Sequence, residues 1–101
     1  MEIFFNLSGG TLTVSLDGEL DEHNSHFVRA KLDNLIAMHT FNYFVLDFSK
    51  VTFMDSTGIG VLLGRYKKLR AIGVPFVIKN TQPQVDKVFN ASGLFNVITK
   101  I

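Results

Sequence analysis

The chain has 101 residues, 47% hydrophobic and 19% charged, the balance of one globular domain with a single core and no room for a second. Ten basic residues against nine acidic ones leave a formal charge of +1, too little for bulk attraction to nucleic acid or an anionic membrane to be the basis of function. The absence of cysteine excludes a disulfide framework and thiolate chemistry, and the N-terminal run MEIFFNLSGG has neither the basic flank nor the apolar length of a signal peptide or span, so a cytoplasmic protein without a membrane partner is expected.

Alternation and β-branched content predict strands over Glu2 to Leu7 and Thr11 to Leu16, with Ser8-Gly9-Gly10 as the hairpin between them. A helix capped by Asn24 or Ser25 and ending near His39 is expected to bury Phe27, Val28, Leu32, Leu35 and Ile36. Tyr43 to Phe48, YFVLDF, has the mostly apolar character of a central strand covered on both faces. Past FMDSTGIG the helical period returns, with Ile59, Leu62, Leu63, Tyr66 and Leu69 on one face and Arg65, Lys67, Lys68 and Arg70 largely on the other, and Gly73 is placed to end that helix.

Pro75 to Lys79 reads as a strand that tolerates proline at its first position. Thr81-Gln82-Pro83-Gln84 reads as a capping box opening a helix through Val85, Val88 and Phe89, with Ser92-Gly93 closing it and Asn96 to Ile101 as a final strand. The order β-β-α-β-α-β-α-β points to a single α/β domain whose mixed, mostly parallel sheet opens with a hairpin and carries helices packed on it.

The stretch Phe53 to Gly60, FMDSTGIG, carries the chemistry. Ser56 lacks the nucleophile elbow, because Met54 stands where G-x-S-x-G needs glycine, and His23, His26 and His39 have no triad context. Gly58, Gly60 and Gly64 do not make a dinucleotide fingerprint, since Leu63 occupies the third glycine position, and no P-loop is present. His23 and His26 with Asp21 and Glu22 fall short of a convergent metal set, and RYKKLR reads as the wet face of an amphipathic helix. No metal, cofactor or enzymatic activity is therefore expected. A helix N-cap at Asp55 or Ser56 explains part of the motif, yet two glycines in the first turn cost about 1 kcal/mol each against alanine, which a surface approached closely by another protein would rationalise. On residue chemistry alone the two readings stay open.

FMDSTGIGVLLGRYKKL, with GELD at Gly18 to Asp21 and ASGLFNVI at Ala91 to Ile98, resembles the STAS domain of anti-sigma factor antagonists over almost the whole chain, the sporulation branch more than the general-stress branch. The resemblance implies a STAS-like fold in which Ser56, in Asp55-Ser56-Thr57-Gly58, is phosphorylated by an anti-sigma factor that is itself a serine kinase and restored by a serine phosphatase. It implies that the unphosphorylated form binds the anti-sigma factor and releases the sigma factor, with no direct contact to nucleic acid. Asp21 matches the Asp of the family's GELD motif, and Asp21, Asp55, Ser56, Thr57, Gly58, Ile59 and Gly60 are the expected partner-binding residues, with Met54 either beside them or in the core. A different reading of the same family is a STAS module that binds a small ligand or nucleotide in a sensory assembly. Many relatives continue into a final helix past the position of Ile101, so the expectation is either that one face of the sheet is less covered or that the chain is a shortened form.

Overall fold

A computed structural model describes residues 1–101. The strands are β1 (Glu2–Ser8), β2 (Thr11–Leu20), β3 (Tyr43–Met54), β4 (Phe76–Lys79) and β5 (Thr99–Lys100), and the helices are α1 (Glu22–Met38), α2 (Ser56–Ala71) and α3 (Pro83–Ser92), with a short 3₁₀ turn at Leu94–Asn96. The strands form one sheet in sequence order; β1 and β2 are antiparallel and every later pair is parallel. The mixed sheet opening with a hairpin thus matches the sequence reading.

All three helices lie on one side. Leu12, Val14 and Leu16 of β2, Phe44, Leu46 and Phe48 of β3, and Phe76 and Ile78 of β4 share one core with Val28, Leu32 and Leu35 of α1, Val61, Leu62 and Leu69 of α2, and Val85 and Phe89 of α3. The alternate residues Val45 and Val77 are buried but stand outside that cluster, among Thr13, Asp47 and Lys79. β3 is central as expected and buries Phe44, Val45 and Leu46 in succession, but the cover on its two faces differs: the Tyr43-Val45-Asp47 face has no helix over it.

Beyond Asp47 the alternation of β3 breaks twice. Ser15 pairs with Asp47 but Asp17 with Lys50, and Gly18 pairs with Val51 but Glu19 with Phe53, so β3 carries an extra residue at each step. Such bulges re-aim the side chains that follow. Val51 and Met54 both point into the core, whereas Phe53 is left exposed. Gly18, opposite the second bulge, has φ +133°, a conformation that favours glycine.

Several boundaries move from the sequence reading for local reasons. Asp21, not Asn24 or Ser25, caps α1, accepting the Asn24 N–H at 2.9 Å, and Ser25 is buried in the first turn. Phe27, expected inside, is exposed. Asn96 to Ile101 is mostly not a strand: the 3₁₀ turn takes its start and only Thr99–Lys100 pairs with β4. Gly73, at φ +73°, ends α2 as expected.

The largest departure is in α2, whose buried stripe is Gly58, Val61, Leu62, Arg65 and Leu69, with Ile59, Leu63 and Tyr66 only partly covered. Arg65 faces inward because Asp33 of α1 meets its Nε at 3.0 Å, and Lys68 joins the same carboxylate oxygen at 3.0 Å. Burial pushes the Arg65 guanidinium below its ordinary pKa and Asp33 pulls it back. A charge this enclosed depends on its partner. Asp33→Ala is expected to lower the unfolding free energy by about 2–4 kcal/mol, toward the range for breaking a buried ion pair because the Arg65 charge is left uncompensated, and Asp33→Ala/Arg65→Leu to recover most of that loss. Urea denaturation of the three proteins checks both.

Candidate functional site

The carboxyl ends of β2 and β3 deliver two helix starts to one place. β2 ends at Leu20, Asp21 caps α1, β3 ends at Met54 and Asp55 caps α2. The Asp55 N–H donates to the Leu20 carbonyl at 3.3 Å, joining the two strand ends. The Asp55 carboxylate accepts the Thr57 N–H at 2.9 Å through one oxygen and the Glu22 N–H at 3.2 Å through the other. One side chain thus ties the first turns of both helices, each of which presents unpaired amides and the positive end of its dipole.

With capping done by Asp55, Ser56 is the first residue of α2 and is exposed. Its hydroxyl is not needed for the cap, which settles the choice between Asp55 and Ser56 as capping residue in favour of Asp55. Thr57 and Ile59 are partly buried, and Met54 is wholly buried in the core, so Met54 adds no contact area for a partner.

The glycines of the motif have opposite causes. Gly58 is buried, and a Cβ there would stand 2.7 Å from Met54 Cγ and 3.0 Å from both Leu20 Cγ and the Leu20 carbonyl oxygen. It is glycine so that α2 can close on the ends of β2 and β3, which corrects the expectation that it admits a partner. Gly60 is exposed, and a methyl group there would meet nothing within 4 Å, so the packing of this chain makes no demand for it. Ser56, Gly60, Leu63 and Lys67 follow one another at helical spacing on the outer side of α2, with a bare stretch of backbone at Gly60.

Beside Ser56 lies a shallow, open depression of about 550 Å³ lined by Asp21, Glu22, His23, Phe53 and Asp55. The structure therefore brings the expected Asp21 and Asp55 together with three residues not singled out as site residues. Glu22 and His23 sit in the first turn of α1, a position hidden when the cap is placed at Asn24 or Ser25, and Phe53 is turned outward by a bulge that strict alternation does not anticipate. No group of three or more His, Cys, Asp and Glu is arranged to hold a metal ion, and no helix is long and apolar enough to cross a membrane.

The STAS domain model matches residues 5–101, and the chain belongs to the STAS-domain family. It is 39% identical over 89 residues to the anti-sigma F factor antagonist of Paenibacillus polymyxa, an alignment covering 88% of this chain and 76% of that protein. Its fold is similar to the anti-sigma factor antagonist SpoIIAA in its unphosphorylated form, with a TM-score of 0.82, 32% identity, and coverage of 99% of this chain and 88% of that one. It is also similar to the Bacillus cell fate determinant SpoIIAA in its phosphorylated form, with a TM-score of 0.73, 31% identity, and coverage of 99% and 91%.

The packing at Gly58 carries its own test. Gly58→Ala is expected to destabilise the fold by about 1–3 kcal/mol through overpacking against Leu20 and Met54, although alanine is the better helix former. A fall in the urea midpoint checks this; an unchanged or raised midpoint would contradict the close contact.

Proposed function

We propose that the protein is an anti-sigma factor antagonist that binds an anti-sigma factor through the start of α2 and is switched off by phosphorylation of Ser56. The observation that carries the reading is the exposed Ser56 hydroxyl, released from capping by Asp55 and standing one turn before the bare backbone of Gly60. The anti-sigma factor is a serine kinase that modifies Ser56, and a serine phosphatase reverses the modification, both acting with this protein in the cytoplasm. The chain is a kinase substrate and not an enzyme, and it makes no contact with nucleic acid.

Two energies of unequal size make the switch. A phosphate adds about −1.5 to −2 of charge, and at a helix N-terminus the amides and dipole favour an anion by roughly 0.3–1 kcal/mol, which offsets repulsion from Asp21 and Asp55. The fold tolerates the group. A partner pressed on Ser56, Ile59 and Gly60 must instead bury that dianion, at an effective cost of several kcal/mol if it is unpaired. At 1.4 kcal/mol per tenfold, affinity falls by orders of magnitude while the domain stays folded. The depression beside Ser56 favours this reading over a nucleotide-binding module, since three of its five lining residues are carboxylates that repel phosphates.

Incubation with the cognate kinase and ATP, followed by mass spectrometry, is expected to place one phosphate on Ser56 and none on Ser56→Ala. The folded phosphoprotein is expected to bind the anti-sigma factor about 100-fold more weakly or worse, by the desolvation cost above; equal affinity for both forms would refute the mechanism. Gly60→Ala separates surface from stability. It is expected to stabilise the free protein by up to about 1 kcal/mol, as alanine does in a helix, while weakening the complex because a methyl group fills the approach. Calorimetric titration beside thermal unfolding reads both.

A further inference from the structure

The C-terminal half of β3 outruns its neighbour. β4 pairs with Phe44 to Asp47 and ends at Lys79, whereas β3 continues to Met54. From Ser49 onward, main-chain groups of β3 directed away from β2 meet no strand. Buried or half-buried peptide groups in that position need partners. Two glutamines at the start of α3 provide them. Gln82 Nε2 donates to the Ser49 carbonyl at 2.9 Å. Gln84 takes both groups of one residue: its Oε1 accepts the Met54 N–H at 3.0 Å and its Nε2 donates to the Met54 carbonyl at 3.2 Å. A primary amide offers the same donor and acceptor as a peptide unit, so Gln84 acts as one residue of an absent strand.

This pairing is made at the expense of α3. Thr81-Gln82-Pro83-Gln84 reads as a capping box, in which Gln84 would turn back to its own helix start. The observed cap is Gln82 with no side-chain capping hydrogen bond, and Thr81 donates to the Asp86 carboxylate. The helix gives up a local hydrogen bond while its glutamine reaches a strand end 30 residues away in sequence. A local rule broken in favour of a distant contact marks a site where geometry matters for more than the helix itself. α3 is held to the sheet by Val85 and Phe89, both wholly buried, so Gln84 is not what docks it.

We propose that Gln84 is a positioning residue for Ser56, an inference that rests on Ser56 being the phosphoacceptor. Met54 immediately precedes Asp55. Its peptide groups are held by Gln84, the following N–H is held by Leu20, and its side chain lies under Gly58 in the first turn of α2. Asp55 can reach the Thr57 and Glu22 amides together only from a fixed strand end. Releasing Met54 on the α3 side frees Asp55 to leave one of those amides, and Ser56 then loses its fixed direction at the surface. Gln84 acts on the hydroxyl through Met54 and Asp55 and touches no partner in this scheme.

The test compares Gln84→Ala and Gln84→Glu with the unaltered protein by amide hydrogen exchange and ¹⁵N NMR, then by kinase kinetics. In Gln84→Ala, exchange at Met54, Thr57 and Glu22 is expected to rise about tenfold or more, while amides of β4 and the middle of α2 change by less than about twofold, the pattern of a local opening. Phosphoryl transfer to Ser56 is expected to slow about tenfold or more in kcat with little change in KM, because misplacement and not binding is affected. Gln84→Glu supplies a readout that a packing role does not move. Its carboxylate accepts from Met54 N–H but repels the Met54 carbonyl, and protonation near the ordinary glutamate pKa of about 4.3 restores the donor. The Thr57 amide shift in that variant should therefore titrate with the new carboxyl and approach its unaltered position in acid.

Unchanged exchange at Thr57 and Glu22 in Gln84→Ala overturns the proposal, as does a uniform rise across all amides, which would mark a general loss of stability. Transfer to Ser56 with wild-type kcat and KM in that variant also overturns it. If the unaltered protein takes no phosphate on Ser56, it is the reading of Ser56 that fails, and the local exchange pattern alone then decides whether Gln84 holds the segment.

Discussion

The architecture of the site depends on the carboxylate of Asp55, whose two oxygens are shared between the Thr57 and Glu22 amides. A cap that served only α2 would fix one helix start. This one fixes two against each other, across a sequence separation of 33 residues, and so makes the ends of β2 and β3 a single rigid corner. Hydrogen bonds to a charged acceptor are worth more than neutral ones, and here they add to the apolar packing of Leu20 and Met54 beneath Gly58. The role proposed for Ser56 rests on its standing one residue past that anchor, in the first turn of the helix by its backbone and exposed at the surface.

The same corner gives a reason why the proposed modification would leave the fold unmoved. Phosphorylation reorganises a protein when the new charge finds a cation to capture or a helix to break. Here the group would arrive at a helix N-terminus already stabilised by a capping anion, with no basic side chain lining the depression except His23. A relative in its phosphorylated form and one in its unphosphorylated form each match this fold over 99% of the chain. In the proposed mechanism the difference between the two forms would therefore lie at the surface and not in the core beneath it.

Much of this is legible in the sequence, and the rest is hidden for identifiable reasons. The element order, the hairpin, the parallel crossovers and the exposed serine at a strand-to-helix junction follow from periodicity, turn chemistry and the DSTG motif. The inward turn of Arg65 is not legible, because it requires Asp33 on another helix, and a basic residue in a basic run reads as solvated until its partner is known. The two bulges of β3 insert single residues that leave no mark on composition, so the outward Phe53 and inward Met54 cannot be assigned by alternation. Gln84 misleads because capping-box chemistry is local, whereas its true partner, Met54, is brought alongside only by the folded sheet. Gly58 and Gly60 look alike as letters, and only the folded chain reveals that one is demanded by Leu20 and Met54 and the other by nothing around it.

The acidic lining of the depression constrains how the proposed switch would discriminate. Asp21, Glu22 and Asp55 already make this corner negative, so a partner that complements it carries basic groups. For such a partner a phosphate strengthens the long-range field: within a Debye length of about 8 Å the attraction grows, and encounter should quicken if it changes at all. Long-range electrostatics thus has the wrong sign to turn binding off. Discrimination has to arise in contact, where the dianion beside Gly60 must be stripped of water against a surface shaped for a hydroxyl and a bare backbone. A switch built that way would work on the lifetime of the complex and not on its formation, so the geometry of the first turn of α2, and whatever fixes it from below, would count for more than the net charge around it.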